Sequence, residues 1–266
     1  TTKNSIAINN PLPAAGGRGA ESIVEVKNNA LAYFQAQQRA VTKEDYITRV
    51  YALPPKYGNV AKAYIVQDSQ LDSKSGANSD ARIANPLALN MYLLGFDANK
   101  KLVTVNQAVK ENVQTYLTQF RMVTDAVNIK DAFVINIGVK FNLLTKVGYN
   151  KEEVVLRAIQ RVRDFFNIDN WQIGQPIVLA DLAYELSLVN GVSSVVPPEE
   201  NNPNGHPVLI TNKFKVSGGY SGNAYDIVSA TKDGVVYPSL DPSCFELKFP
   251  NTDIEGRVVG NTSGGN

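Results

Sequence analysis

Cysteine and histidine are nearly missing from this sequence, with one of each in 266 residues. A lone cysteine, Cys244, excludes an intrachain disulfide framework and any multi-cysteine zinc site. Cysteine is among the most buried residue types, so Cys244 is expected in the core. A Ser-His-Asp triad or a Cys-His dyad would have to use His206, the sole histidine, and no motif places a partner beside it. It reads as a loop residue of an Asn-rich stretch. Charge of one sign is also lacking: 26 Lys and Arg stand against 25 Asp and Glu, which removes the case for bulk attraction to nucleic acid or to an anionic membrane. No run approaches the roughly 18 apolar residues that span a bilayer, so membrane insertion is not expected. The opening TTKNSIAINNP lacks the order of a signal peptide. It also lacks an initiator Met, from which a fragment or processed chain is expected.

What is present is an ordinary globular composition, 44% hydrophobic and 19% charged, enough for at least one full core, or for one core with an appended module. Ser22-Ile23-Val24-Glu25 has the form of a capping box, and Ile23, Val26, Ala30 and Phe34 follow at near-helical spacing, weakened by Asn28-Asn29. Thr42-Lys43-Glu44-Asp45 repeats the capping logic and predicts a second short helix to about Tyr51. Leu53-Pro54-Pro55 stops it. VAKAYIV, residues 60–66, reads as a strand, residues 67–86 as a long polar loop, and LALNMYLLGF as a second strand. A helix over 105–121 precedes the clearest strand, in which Phe133, Ile135, Ile137, Val139, Phe141 and Leu143 alternate with polar or small residues. Asn150 to Glu153 caps a helix to about Phe166, and Asp181 is expected to cap another ending near Val189. Asn190-Gly191 then turns into a strand over 192–196.

This order predicts an α+β fold, a mixed sheet packed with helices, followed by a short C-terminal β extension. The expected divisions are an N-terminal segment 1–58 with two short capped helices, a core domain 59–197, a linker 198–205 and the extension 206–266. In that extension AYDIVSA reads as a β-type run, Asp233-Gly234 as a hairpin turn and NTSGGN as a frayed tail.

No cluster of residues announces chemistry. Asp68, Asp72 and Asp80 lack the ligand spacing of an EF-hand, and Glu152-Glu153 and Glu199-Glu200 are pairs in sequence only. Gly16-Gly17-Arg18-Gly19 before a helix start could cradle an anion, but it lacks the Lys-Ser ending of a P-loop and a preceding strand. It reads as an entry turn. The aromatics Tyr33, Phe34, Tyr46 and Tyr51 lie along two helices too short to be stable alone, so they either fill this chain's core or meet a partner.

GGRGAESIVEVKNNA followed by FQAQQRAVTKEDY resembles the signature of baseplate J-like proteins, the wedge components of contractile phage tails and related injection machines. The resemblance runs through VAKAYIV, YLTQFRMVTDAVNI and FVINIGVKFNLL, covering roughly residues 16–197. The tail DGVVYPSLDPSCFELKFPNTDIEGRV looks most like the T4-like branch, of whose wedge subunits this chain would be a C-terminal part. The resemblance implies a non-enzymatic structural role in the virion baseplate, assembled in the host cytoplasm. It implies pairing with a second copy and contacts to other wedge proteins, including the sheath initiator, in a ring around the hub. It implies no cofactor, metal or catalytic residue. The partner-facing candidates are Arg18, Tyr33, Phe34, Arg39 and Tyr46. The rival expectations are a hydrolase of envelope polymer and a receptor- or glycan-binding module using Tyr220, Tyr225 and Tyr237.

Overall fold

A computed structural model describes residues 23, 26, 27, 30, 31, 34, 39–67, 88–198, 202 and 205–259. The Gly16–Gly19 cluster, the Ser22–Glu25 box as a unit, the polar loop beyond Gln67 and the tail NTSGGN lie outside the described residues. The chain forms two compact units, Thr1–Asp131 and Ala132–Asn266, both mixing helix with mixed sheet as the α+β expectation requires. The division falls between two strands and not near residue 197.

The first unit is built on a four-stranded sheet. β1 (Lys62–Gln67) runs antiparallel to β2 (Ala88–Phe96), which pairs on its other side with β3 (Leu102–Val103) and, in parallel, with β4 (Ala126–Asp131). Asn90 and Asn128 are opposite each other in that register, and their side chains bond at 3.4 Å. Two helices, α1 (Lys43–Tyr51) and α2 (Gln107–Thr118), supply Tyr46, Val50, Val113 and Leu117 to a core shared with Ile65, Met91 and Leu93. α1 starts at a complete capping box: the Thr42 hydroxyl accepts from the Asp45 amide, and the Asp45 carboxylate accepts from the amides of Thr42 and Val41. Burial raises the Asp45 pKa, but those amide bonds outweigh it and hold the carboxyl below its usual range. α2 begins at Asn106, whose side chain accepts from the Ala108 amide.

The second unit is organised around β5 (Phe133–Thr145), the centre of a five-stranded sheet. Along one edge β5 pairs in parallel with β11 (Ser243–Glu246) and then β12 (Ile254–Val258). Along the other it pairs antiparallel with β8 (Val208–Asn212) and then β7 (Val192–Val196). Residues 206–266, expected as an extension, therefore provide three of the four partners of the central strand. The reason is valence: the amides and carbonyls of a buried strand need partners on both edges, and β7 covers only the end of one.

The odd residues of β5 from Ile135 to Leu143 are buried as predicted, whereas Phe133 is exposed and the even residues Val134, Asn136 and Gly138 are buried too. The second face is covered because the segment after β8 crosses it. Beyond the reach of β8, the Val134 carbonyl accepts from Ser221 Oγ at 2.7 Å and Asn223 Nδ2 at 2.8 Å, so side chains replace the missing strand.

α3 (Lys151–Phe165), capped by Asn150, lays Val154, Ala158 and Val162 into the core. α4 (Leu179–Ser187) adds Leu182 and Leu186. Asp181 sits inside α4 and does not cap it. That helix follows β6 (Ile177–Val178) directly and has no side-chain cap; its Leu179 amide bonds to the Gly234 carbonyl at 2.9 Å, satisfying one of the amides at the helix start. Gly234 belongs to the predicted hairpin turn between β9 (Thr231–Lys232) and β10 (Val235–Val236), where Asp233 and Gly234 both have positive φ. AYDIVSA is not a strand: Asp226 accepts from the Ser229 amide and starts α5 (Ile227–Ala230). A last short helix, α6 (Pro250–Asp253), leads into β12.

Candidate partner surface

Among the described residues, the types that would make an active site do not converge. Cys244 is fully buried in β11. His206 has its amide bonded to Asn202 Oδ1 at 3.0 Å and borders a small apolar pocket with Leu179, Ile227 and Val236. A larger groove at the start of α3 is lined by Lys146, Tyr149, Lys151 and Ser193. Neither wall includes a carboxylate, so neither holds the acid pair of a glycosidase. Among the described residues no three His, Cys, Asp or Glu side chains are grouped to hold a metal ion, and no helix is long and apolar enough to cross a membrane. Glu153 is engaged by Arg157 one turn along α3.

The tyrosines of the glycan reading are mostly committed. Tyr220 stacks edge-on against Phe249 and donates to Asp253 Oδ1 at 2.6 Å. Burial and the Asp253 carboxylate push the Tyr220 phenol up to about 12. Tyr225 donates to the Tyr237 carbonyl at 2.7 Å. Only Tyr237 among the three is an exposed large side chain.

The unexplained feature is apolar surface at the start of the chain. Ile23, Val26, Lys27, Ala30, Leu31 and Phe34 are helical and exposed. Ile23 is 77% exposed, Val26 49%, Leu31 59% and Phe34 82%. Arg39 follows, also exposed, and the chain is then tied down where the Ala40 amide bonds to the Phe120 carbonyl and Ala40 bridges Arg121. That bridge brings exposed Val41 beside the exposed pair Met122 and Val123. Single exposed apolar side chains are ordinary, but a helical run of them marks a surface built to be covered.

Of the candidates from sequence, Phe34 and Arg39 are on this surface, and Arg18 and Tyr33 lie outside the described residues. Tyr46 is not on it. It is 1% exposed, in the core of the first unit, where its hydroxyl donates to Asp125 Oδ2 at 2.7 Å. Burial, reinforced by that carboxylate, raises its pKa far above the usual phenol range. One turn on, Arg49 is buried with its guanidinium 4.4 Å from the Phe120 ring centre. The two predicted helices thus differ: α1 buries its apolar face in its own core, whereas the described residues of the leading one are exposed. Periodicity alone could not separate them, because both carry an apolar face.

No protein-family model matches the chain, and no curated protein matches it. Among solved structures, the chain is similar to one from the cryo-EM structure of the anti-feeding prophage (AFP) baseplate, 6-fold symmetrised, with a TM-score of 0.50 and 14% sequence identity. The likeness covers 89% of this chain and 44% of that one, so this chain spans less than half of its neighbour's length. At that identity it establishes a shared fold.

Proposed function

We propose that this chain is a structural part of a contractile-tail baseplate, a wedge subunit similar to those of T4-like phages. In that role it pairs with a second copy and contacts other wedge proteins and the sheath initiator, helping to join wedges into a ring around the hub. The observation that carries the reading is the fold shared with a chain of a prophage baseplate over 89% of the present sequence. The opening GGRGAES to AVTKEDY motif supports the same family. The exposed helical face supplies the physical reason for assembly, since apolar area left in water costs roughly 25 cal/mol per Å². The protein acts here by binding and not by catalysis, in the virion tail, after assembly in the host cytoplasm.

The test is electron microscopy of tails carrying a tagged copy of the protein. Tag density at the baseplate, together with loss of assembled sheath when the protein is deleted, is the expected result. Intact contractile particles assembled without the protein would overturn the reading.

A further inference from the structure

The cover over the second face of β5 ends at Gly138. Val134, Asn136 and Gly138 are buried there, whereas Lys140, Asn142 and Leu144, the next three residues on that side, are only half-buried. The neighbouring strands continue this face. Glu255 and Arg257 of β12 stand beside Lys140 and Asn142 on one edge, and Leu209 of β8 and Val196 of β7 stand beside them on the other. Lys213, just past β8, lies across Gly138, since a Cβ on that glycine would come within 2.6 Å of the lysine Cε.

The charge on this strip is lopsided. Glu255 is 3.0 Å from Lys140 Nζ and 3.9 Å from Lys213 Nζ, so one carboxylate serves two ammonium groups, and the exposed Arg257 adds a third cation. Two residues beyond Asn142 the face runs into the groove of about 270 Å³ at the start of α3, which Leu144 lines. Lys146 and Lys151 add two more cations there, and Ser193, the residue that the register of β5 and β7 skips, also lines the wall. Five cations against one carboxylate do not follow from composition, because the whole chain carries a net charge of only +1. Such a concentration of one sign raises the local density of an oppositely charged partner.

Three properties define what fits. The sign calls for an anion. The half-buried Leu209, Val196 and Leu144 lie among the cations, so the ligand must bring apolar groups as well as negative ones. The spacing is that of a strand: alternate residues of an extended chain lie roughly 6.6 Å apart on one side, as Lys140 and Asn142 do along β5. The groove is smaller than the roughly 300–1,000 Å³ of small-molecule sites, and suits one side chain better than a whole cofactor.

We infer that this strip is a docking surface for an acidic, extended segment of a partner polypeptide. Its carboxylates meet Lys140, Lys213 and Arg257, its apolar residues rest on Leu209 and Val196, and its end enters the groove beside Lys146 and Lys151. The inference is drawn from the charge and topology of the second unit and does not depend on the baseplate reading.

Fluorescence anisotropy with the full chain tests it, using a labelled ten-residue peptide of alternating Glu and Val. Saturable binding at low ionic strength is expected, with loss in about 0.5 M salt, where exposed charges are screened. The same peptide with Gln in place of Glu is expected not to bind. Arg257→Glu and Lys151→Glu are each expected to raise the dissociation constant roughly fivefold or more. The second variant guards against misfolding, since a carboxylate in the first turn of α3 suits the helix dipole. Lys232→Glu, an exposed charge on the β9–β10 hairpin, is expected to leave binding within roughly twofold.

Equal weakening by all three variants would mean attraction to bulk charge and overturn the surface. Absence of saturable binding to the parent chain would also overturn it, and would leave the baseplate reading standing. A ten-residue oligothymidylate that binds more tightly than the peptide, with the same loss on Arg257→Glu, would overturn the choice of a polypeptide as occupant.

Discussion

At the scale of single residues, Asn136 is a buried polar side chain of the second unit with a partner at each end of its amide. It is fully buried in β5, donates from Nδ2 to Glu246 Oε2 at 2.8 Å and accepts at Oδ1 from the Ser221 amide at 2.8 Å. Its carbonyl takes the amide of Lys213 at 2.9 Å and Asn212 Nδ2 at 3.1 Å. Replacing it with Ala removes a donor from a buried carboxylate and a partner from a buried amide, so the expected loss is about 2–4 kcal/mol in urea unfolding. Asn136→Asp is expected to cost more than Ala, because it sets a second carboxylate against Glu246. Tyr220 makes a different prediction, on pH. Its phenol loses its proton near 10 when unfolded and near 12 when folded. Between those values the unfolded chain binds fewer protons, so stability falls as pH rises; the contribution is complete below pH 10. Tyr46, raised in the same direction, adds to the fall. Urea midpoints measured from pH 9 to 11 should decline, and Tyr220→Phe should make the decline shallower.

At the scale of elements, caps and turns were legible in the sequence, and strand partners were not. Thr42 and Asn150 each cap the helix their motif announced, whereas the Asn106 cap was seen only in the structure. Asp181 is no cap because the helix starts two residues earlier, at Leu179, whose amide bonds to a tertiary group, the Gly234 carbonyl. AYDIVSA failed as a strand because Asp226 could reach the Ser229 amide, a local bond that β-propensity does not count. The glycines at two turns separate backbone strain from crowding. Gly234 has φ +76° and no atom within 4 Å of a would-be Cβ, so Gly234→Ala is expected to cost about 1 kcal/mol from conformation alone. Gly191 has φ +96°, and a Cβ there would come within 2.7 Å of Tyr149 and Val154. Gly191→Ala is expected to cost more than twice as much, and thermal unfolding of the two variants reads the difference directly.

At the scale of the whole molecule, the C-terminal segment 206–266 is framework. β8, β11 and β12 all bond to β5, and the glycine-rich stretch between β8 and α5 seals the strand's open edge through Ser221 and Asn223. A chain ending at residue 205 is therefore expected to lose the near-ultraviolet signal of Trp171, which packs between Phe165 and Phe166 in this unit. A truncated chain with a native spectrum would restore the reading of residues 206–266 as an appendage. The sequence by itself determined the α+β class, the helix starts at Thr42 and Asn150 and the hairpin at Asp233-Gly234. These depend on contacts within a few residues and on composition. Only the tertiary structure decided that Tyr46 is core while Phe34 is surface, that β5 is buried on both faces, and that the unit boundary falls at residue 131. Those outcomes depend on which distant segment arrives to cover an apolar face or an open strand edge. The periodicity of a segment records that it has such a face, but not what will meet it.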